Sequence, residues 1–322
     1  MLNGISTKSK PLVSLVPLTK PAGTAILNLE IPLTGTKAAT PRKTRADLAA
    51  RNQYILKADP AHVGGLAALG IDLVSLGNNH CMDYREAGLK QMQALLDKWS
   101  IGYAGAGSNA DQALAVKVFT NPQGVRVGLI SALAFMSVGG LSKCTPATST
   151  SAGVGTLSFG GSIDDRARKS LKAMISSAKQ QCDVLVMGLH WGIEKQTLPS
   201  AYQVALGRAC IDAGADIVWG NHPHVLQGAE VYKSKPIMYS LGNLISPRPG
   251  ETGLIKLVYD GTDFQKALFY PCTISAGKVK PLAGPEGQAR VKKFAGLCTL
   301  LTKGYPNKFS QPMFGGKKLV GR

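Results

Sequence analysis

The sequence contains few acidic residues. Its 322 residues include 19 Asp and Glu against 37 Lys and Arg, which gives a formal net charge of +18. A field of this sign attracts polyanions, so nucleic acid, anionic lipid and an acidic polymer such as polyglutamate are all compatible partners. The basic residues do not alternate with aromatic residues, however, and no recognised nucleic-acid module is present. The sequence therefore argues against sequence-specific nucleic-acid binding.

The sequence also lacks a membrane span and a cysteine framework. No stretch approaches the roughly 18 consecutive apolar residues of a transmembrane helix. The six cysteines include no C-x-x-C pair, and several lie inside apolar patterns, which predicts buried thiols and argues against a zinc knuckle or a disulfide framework. As written, the protein is expected to be soluble; it would be membrane-associated or exported if an N-terminal segment is missing.

What the sequence does contain is an alternation of strand-like and helix-like apolar stretches among 37 glycines. This alternation predicts an α/β fold with many tight turns between strands and helices. We expect an irregular arm at residues 1–23, a single α/β domain at 24–301, and a basic tail at 302–322. The arm is polar and has no clear element, and the tail carries lysine and arginine without any acidic residue.

Histidine is rare, and its few positions follow a pattern. Three apolar runs typical of buried strands each lead to histidine: 71–76 before His80, 183–189 before His190, and 215–219 before His222 and His224. Only His62 lies elsewhere, in a predicted helix. In open α/β sheets, ligands bind at the carboxyl ends of the strands. Neutral imidazoles that converge on one point are typical of a metal site, so these four histidines predict one.

The pair His222-Pro223-His224 is the most specific of these signals. Side chains two residues apart on a strand point to the same side. We therefore expect both imidazoles to point to the same side of the strand end, as metal ligands.

Six segments, in this order, resemble the CapA-type poly-γ-glutamate capsule-synthesis family. They are residues 28–32, 77–83, 105–107, 190–194, 220–225 and 239–243, with the sequences NLEIP, GNNHCMD, GAG, HWGIE, GNHPHV and YSLGN. The resemblance covers residues 25 to 301. That family is similar to the calcineurin-like metallophosphoesterases, which implies a two-sheet β-sandwich flanked by helices and a dinuclear metal centre.

The resemblance also implies roles for individual residues. Asn79, His190 and His222 would bind one metal, His224 would bind the second, and Glu30 would bridge them. His80 would protonate a leaving oxygen, and Asp83 would orient His80. Further candidates for substrate contact or for support of the ligands are Asn28, Glu194 and Asn243. Mn²⁺, Fe or Zn²⁺ would suit this set of nitrogen and oxygen ligands, as one ion or two.

The chain departs from the family at its beginning. Members carry a Gly-Asp motif on the first strand, and its aspartate is implied as a ligand of the second metal, whereas the first 29 residues here contain no Asp or Glu. The second metal would then keep only His224 and Glu30, which are too few ligands for a tight site. Either an upstream segment is missing or the centre is weakened or binds one metal, and we favour a shortened or divergent N-terminus.

Three functions are compatible with these features. The first is a metal-dependent hydrolase of capsule or poly-γ-glutamate biosynthesis that acts on a phosphoester or on the polymer. The second is a non-catalytic accessory or polymer-binding subunit of a membrane polymer-synthesis complex. The third is a general metallophosphatase that is unrelated to capsule.

Overall fold

The computed structural model describes residues 5–6, 10–134 and 143–314. Its strands are β1 (Ile26–Asn28), β2 (Leu73–Ser75), β3 (Gly102–Ala104), β4 (Ala106–Gly107), β5 (Lys117–Thr120), β6 (Arg126–Ala134), β7 (Gly153–Val154), β8 (Val184–Trp191), β9 (Ile217–Asn221), β10 (Leu226–Tyr232), β11 (Lys235–Leu241), β12 (Gly250–Asp260), β13 (Asp263–Ser275), β14 (Lys278–Pro281) and β15 (Ser310–Pro312). Its α-helices are α1 (Val16–Thr19), α2 (Arg45–Ala49), α3 (Val63–Ala68), α4 (Arg85–Lys98), α5 (Ala110–Leu114), α6 (Asp165–Lys179), α7 (Ala201–Ala213) and α8 (Gly284–Gly304). Short 3-10 helices occupy Val13–Leu15 and Pro60–His62.

The largest sheet has seven strands in the order β15-β10-β11-β9-β8-β6-β5. Its centre is parallel, because β6, β8, β9 and β11 pair in one direction, and its outer strands are antiparallel. A three-stranded parallel sheet has the order β1-β2-β3, and an antiparallel sheet has the order β12-β13-β14. The strands β4 and β7 form a separate antiparallel pair.

Alternation along β8 shows how these sheets are layered. Val184 and Val186 belong to an apolar cluster with residues of β2, β13 and α8, whereas Leu185 and Met187 pack with α6 and α7. Because successive side chains of a strand point to opposite faces, the large sheet has α6 and α7 on one face, and the smaller sheets together with α8 on the other. Helices α3 and α4 cover the outer side of the three-stranded parallel sheet. The predicted mixed α/β fold, with packed sheets between helices, is confirmed.

Both ends of the chain contain more regular structure than the sequence suggested. The segment expected to be an irregular arm includes the helical turns at Val13–Leu15 and Val16–Thr19. Leu15 is fully buried, and Ser14 donates a hydrogen bond to the carbonyl of Val279. At the other end, α8 continues to Gly304 and β15 pairs with β10. The expectation that these segments lack elements is therefore corrected, while the domain boundaries stay a prediction.

Two of the predicted absences can be compared with the described residues. All six cysteines are buried, which confirms the prediction of buried thiols. Within residues 5–6, 10–134 and 143–314, no helix has the length and apolarity required to cross a membrane.

Asp216, the residue before β9, contacts residues of β8, α6 and β11. Its carboxylate accepts hydrogen bonds from the amide of Leu185 at 2.8 Å and from Lys179 Nζ at 2.6 Å, and it also pairs with Lys235. Burial alone would raise the pKa of Asp216, but these donors outweigh burial and hold the pKa below its usual value.

We predict that Asp216→Asn lowers the free energy of unfolding by about 1–2 kcal/mol near neutral pH, because the two ammonium groups lose their counter-charge. The native-state pKa is depressed, so the stabilisation is present above the usual carboxyl pKa and is lost as the pH falls through the native value. Urea unfolding at neutral and acidic pH measures both effects. The matched control is Asp263→Asn at an exposed position. If the difference in unfolding free energy between wild type and Asp216→Asn were as large in acid as at neutral pH, the lowered pKa of Asp216 would be contradicted.

Candidate metal centre

The parallel pairing of β8 and β9 brings the first two histidine positions together. His190 is the next-to-last residue of β8 and pairs in register with Asn221, the last residue of β9. His222 follows Asn221 directly in the sequence. Since both strands run in the same direction, their carboxyl ends meet at one edge of the sheet. Asn243 follows β11, the next strand along that edge, by two residues.

The loop that carries Asn79 and His80 comes from the other sheet. It follows β2 and begins at Gly77, where an added Cβ would lie 2.4 Å from Ser131 Oγ and 2.6 Å from the amide nitrogen of Ala132. No side chain fits in this space, so glycine allows the loop to lie directly against β6. This close approach places Asn79 beside the end of β8.

Five predicted ligands converge at this point. The distance from His190 Nε2 to Asn79 Oδ1 is 2.9 Å, and to His222 Nδ1 it is 3.1 Å. Glu30 Oε1 lies 3.6 Å from His190 Nε2 and 3.5 Å from His224 Nε2. The structure thus brings together Glu30, Asn79, His190, His222 and His224, which come from widely separated parts of the sequence.

The donor atoms fit a cation. Glu30 is buried, and its Oε1 has no hydrogen-bond partner among the described residues, which is costly for a carboxylate oxygen. Its distances to the two imidazole nitrogens are too long for hydrogen bonds. They match the spacing of about 3.4 Å between two ligands that each lie about 2.1 Å from one tetrahedral ion. Glu30, His190 and His222 in particular offer atoms close enough to share an ion.

Burial keeps the imidazoles in the form that binds metals. It lowers the pKa of His190 well below its usual value, and the neighbouring His222, His224 and His80 lower it further. Burial likewise lowers the pKa of His222 to about 3, with contributions from His224 and His80. Both rings are therefore neutral near pH 7, and their nitrogen lone pairs are available to a cation.

The backbone of the His-Pro-His segment differs from the strand that the sequence suggested. Strand β9 ends at Asn221, and His222 and His224 have φ angles of 98° and 59°. Both values lie in the left-handed region of backbone conformation, which residues other than glycine rarely occupy. The two imidazoles therefore face the cluster because of a strained turn and not because of strand alternation. Strain of this kind is concentrated at functional sites.

Two asparagines orient the ligands. His224 Nδ1 donates a hydrogen bond to Asn243 Oδ1 at 2.8 Å, and its Nε2 is directed toward Glu30. Asn28 Nδ2 donates to Glu30 Oε2 at 3.3 Å, and so holds the second oxygen of that carboxylate. The structure thus places Asn28 and Asn243 as supports of ligands.

His80 belongs to a buried cluster next to the metal ligands. Its Nδ1 donates to Asp83 Oδ2 at 2.7 Å, and the same oxygen accepts the amide of Leu56 at 2.8 Å. Lys43, which the sequence reasoning missed, pairs with Asp83, lies 3.1 Å from His80 Nδ1 and donates to the carbonyl of Tyr54 at 2.9 Å. It is buried, and nothing in the sequence distinguishes it from the other basic residues of its loop.

Asn78 is a second residue that the sequence reasoning undervalued, because it was interpreted only as a turn former. It is buried, and it donates to the carbonyl of Leu29 at 3.1 Å and to Asn28 Oδ1 at 3.3 Å. Its own Oδ1 accepts the amide of His80 at 3.1 Å. Asn78 therefore joins the loop after β2 to the segment that carries Glu30.

The site lies at the mouth of a cavity of about 800 Å³ between the sheets. Polar residues of the site, including Asn28, Glu30, His222 and His224, line one end, and apolar residues line most of the remainder. The cavity is bordered by consecutive residues of β1 and β12, each of which pairs with only one neighbouring strand. The ligands are therefore accessible from an open space large enough for a small ligand.

Comparison with known proteins supports the sequence resemblance. The family described as "Bacterial capsule synthesis protein PGA_cap" matches residues 6–248. The chain is similar to the capsule biosynthesis protein CapA of Bacillus anthracis, with 32% identity over 242 residues, which cover 73% of this chain and 56% of that protein. It is also similar to the PGA biosynthesis protein CapA of Bacillus subtilis, with 35% identity over 194 residues, 59% of this chain and 46% of that protein.

A third relative carries a different name. The "Probable polyglutamine synthesis accessory protein" of Mycobacterium tuberculosis is 27% identical over 209 residues, which cover 64% of this chain and 53% of that protein. The chain thus spans about half the length of the curated relatives that it matches.

We predict that the chelator-treated protein binds Mn²⁺ or Zn²⁺ and that His222→Ala weakens binding at least 100-fold, because a ligand is lost from a buried cluster whose supporting contacts alone are worth about 10–100-fold. Isothermal titration calorimetry measures the change. The control is His62→Gln, since His62 lies outside the cluster and contacts the carbonyl of Ile5. Equal affinities for wild type and His222→Ala would show that the cluster does not hold the ion.

Proposed function

The chain belongs to the family of bacterial capsule synthesis proteins described as PGA_cap, and from this premise we propose that it is a metal-dependent hydrolase of capsule or poly-γ-glutamate biosynthesis. Two of its relatives are named for the biosynthesis of capsule and of PGA. The proposed substrate is a phosphoester or the polymer itself.

One observation carries the hydrolase assignment. Glu30 Oε1 is buried, has no hydrogen-bond partner in the part of the chain that the structure describes, and faces the nitrogens of His190 and His224 at 3.6 and 3.5 Å. Neutral imidazoles, a carboxylate and the amide oxygen of Asn79 form a ligand set that suits Mn²⁺, Fe or Zn²⁺. A cation bound there would polarise the scissile group and favour ionisation of water near neutral pH.

The remaining chemistry is assigned to the cluster around His80. Asp83 accepts a hydrogen bond from His80 Nδ1. Asp83 is itself held in place by hydrogen bonds from the amide of Leu56 and from Lys43. The imidazole is thereby held in one orientation, and Nε2 is the nitrogen left to give a proton to the leaving oxygen. His80 lies close enough to the ligands for its charge to lower the pKa of both His190 and His222.

The charge of the molecule supports an anionic substrate. A net charge of +18 raises the local concentration of anions, and the polar mouth of the cavity would receive a phosphoryl or carboxylate group next to the ligands. Most of the remaining cavity lining is apolar, so an anionic polymer would contact the mouth and the outer surface.

A second candidate function is a non-catalytic accessory subunit of a membrane polymer-synthesis complex that binds the polymer. The name of the mycobacterial relative, an accessory protein of polyglutamine synthesis, favours it. The net charge of +18 also favours it, because a positive field attracts an anionic polymer.

We predict that the Mn²⁺-loaded protein hydrolyses a phosphodiester such as bis(p-nitrophenyl) phosphate, and that His80→Asn lowers kcat at least 100-fold while the metal content is unchanged. The contribution of a general acid is about 10²–10⁴-fold, and His80 is not among the proposed ligands. Colorimetric kinetics and elemental analysis of the same samples measure both quantities, with His62→Gln as the control.

The two candidate functions give different results in a parallel binding assay with poly-γ-glutamate. Hydrolysis that depends on His80 supports the enzyme. Salt-sensitive binding of the polymer, with no hydrolysis of phosphoester or polymer at any Mn²⁺ concentration, contradicts the enzyme and supports the accessory subunit.

A further inference from the structure

We propose that Glu194 is a ligand of a second divalent cation, together with His224 and Glu30. The inference rests on the metal centre of the proposed function, and it goes beyond it by assigning a third protein ligand to an ion for which the sequence indicated only two. The observation behind it is that the carboxylate of Glu194 and nitrogens of His222 and His224 lie within 4.8 Å of one another.

The arrangement of Glu30 leaves room for two ions. Its Oε1 lies 3.6 Å from His190 Nε2 and 3.5 Å from His224 Nε2. His190 is in contact with Asn79 and His222, whereas His224 is held by Asn243, so the two imidazoles belong to different groups of side chains. A carboxylate in this position bridges an ion on the His190 side and an ion on the His224 side.

A backbone contact holds the turn that carries Glu194 against the segment that carries His222 and His224. The amide of Lys195 donates to the carbonyl of Pro223 at 2.8 Å, and Pro223 is the residue between the two histidines. The turn after β8 is thus attached directly to the His-Pro-His segment. Lys195 has a φ angle of 63°, so the turn, like the histidines, is in a strained conformation that the contact maintains.

The spacing and the charge both suit a cation. Two ligands on opposite sides of an ion, each at about 2.1 Å, are about 4.2 Å apart, and the 4.8 Å limit of this group is compatible with small adjustments of a surface side chain. Two divalent ions that share one carboxylate would leave a large uncompensated charge in a partly buried site. A second carboxylate reduces that charge by one unit.

Exposure distinguishes this ion from the first. Glu194 is exposed, whereas Glu30 and His190 are buried. An ion with a solvent-facing ligand keeps open coordination positions for substrate, and it exchanges more readily than an ion enclosed by buried ligands. The second ion is therefore the weaker of the two and the one on the open side of the site.

The test is Mn²⁺ titration of the chelator-treated full chain, followed by calorimetry and by electron paramagnetic resonance, in which a spin-coupled Mn²⁺ pair differs from isolated Mn²⁺. Wild type is expected to bind two ions with unequal affinities and to show the coupled signal. Glu194→Gln is expected to retain the tight ion, to lose the coupled signal, and to weaken the second ion at least tenfold. His224→Asn should behave in the same way, and Glu286→Gln, on the exposed first turn of α8, should not differ from wild type.

The possible results distinguish a failure of the Glu194 assignment from a failure of the metal centre. Two ions and an unchanged coupled signal in Glu194→Gln would overturn the assignment of Glu194. One ion in wild type, lost in His222→Ala and retained in Glu194→Gln, would also overturn it and leave the metal centre of the proposed function intact. No bound ion in wild type would overturn both.

Discussion

The carboxylate of Glu30 lies between the imidazoles of His190 and His224, with one buried oxygen that no hydrogen-bond donor reaches among the described residues. A buried anionic oxygen without a partner is costly, and the neutral imidazoles of His190 and His222, whose pKa values burial lowers, do not provide a compensating charge. A cation at this point would satisfy the carboxylate, the imidazoles and the amide of Asn79 together. The rest of the site is arranged around this electrostatic requirement.

The fold meets the requirement by joining two sheets at one edge. The parallel strands β8 and β9 carry His190 and the His-Pro-His segment from the large sheet, and the segments after β1 and β2 carry Glu30 and Asn79 from the small one. Glycine at position 77 lets the loop after β2 lie against β6, and Asn78 then connects that loop to the segment of Glu30. Positive φ angles at His222 and His224 are the local cost of aiming both rings inward.

Much of this arrangement could be predicted from sequence, because periodicity identifies strands and the carboxyl edge of a parallel sheet collects the residues that follow them. His80, His190, His222 and His224 were singled out in this way, and the resemblance to a known family added Glu30 and Asn79. The geometry of His222 and His224 was predicted for the wrong reason, since a turn replaces the expected strand. Lys43 was missed because its role depends on a loop conformation that leaves no periodic signal. The burial of Leu15 was missed because the apolar run around it is short and is interrupted by Pro17.

A crystal structure of the protein soaked in Mn²⁺, with anomalous diffraction recorded near the manganese edge, tests the central claim most directly. The account predicts an anomalous peak within about 2.3 Å of His190 Nε2, His222 Nδ1, Asn79 Oδ1 and Glu30 Oε1. A fully loaded crystal with no anomalous peak among these four atoms would contradict the account. A protein donor hydrogen-bonded to Glu30 Oε1, in the position expected for the cation, would also contradict it.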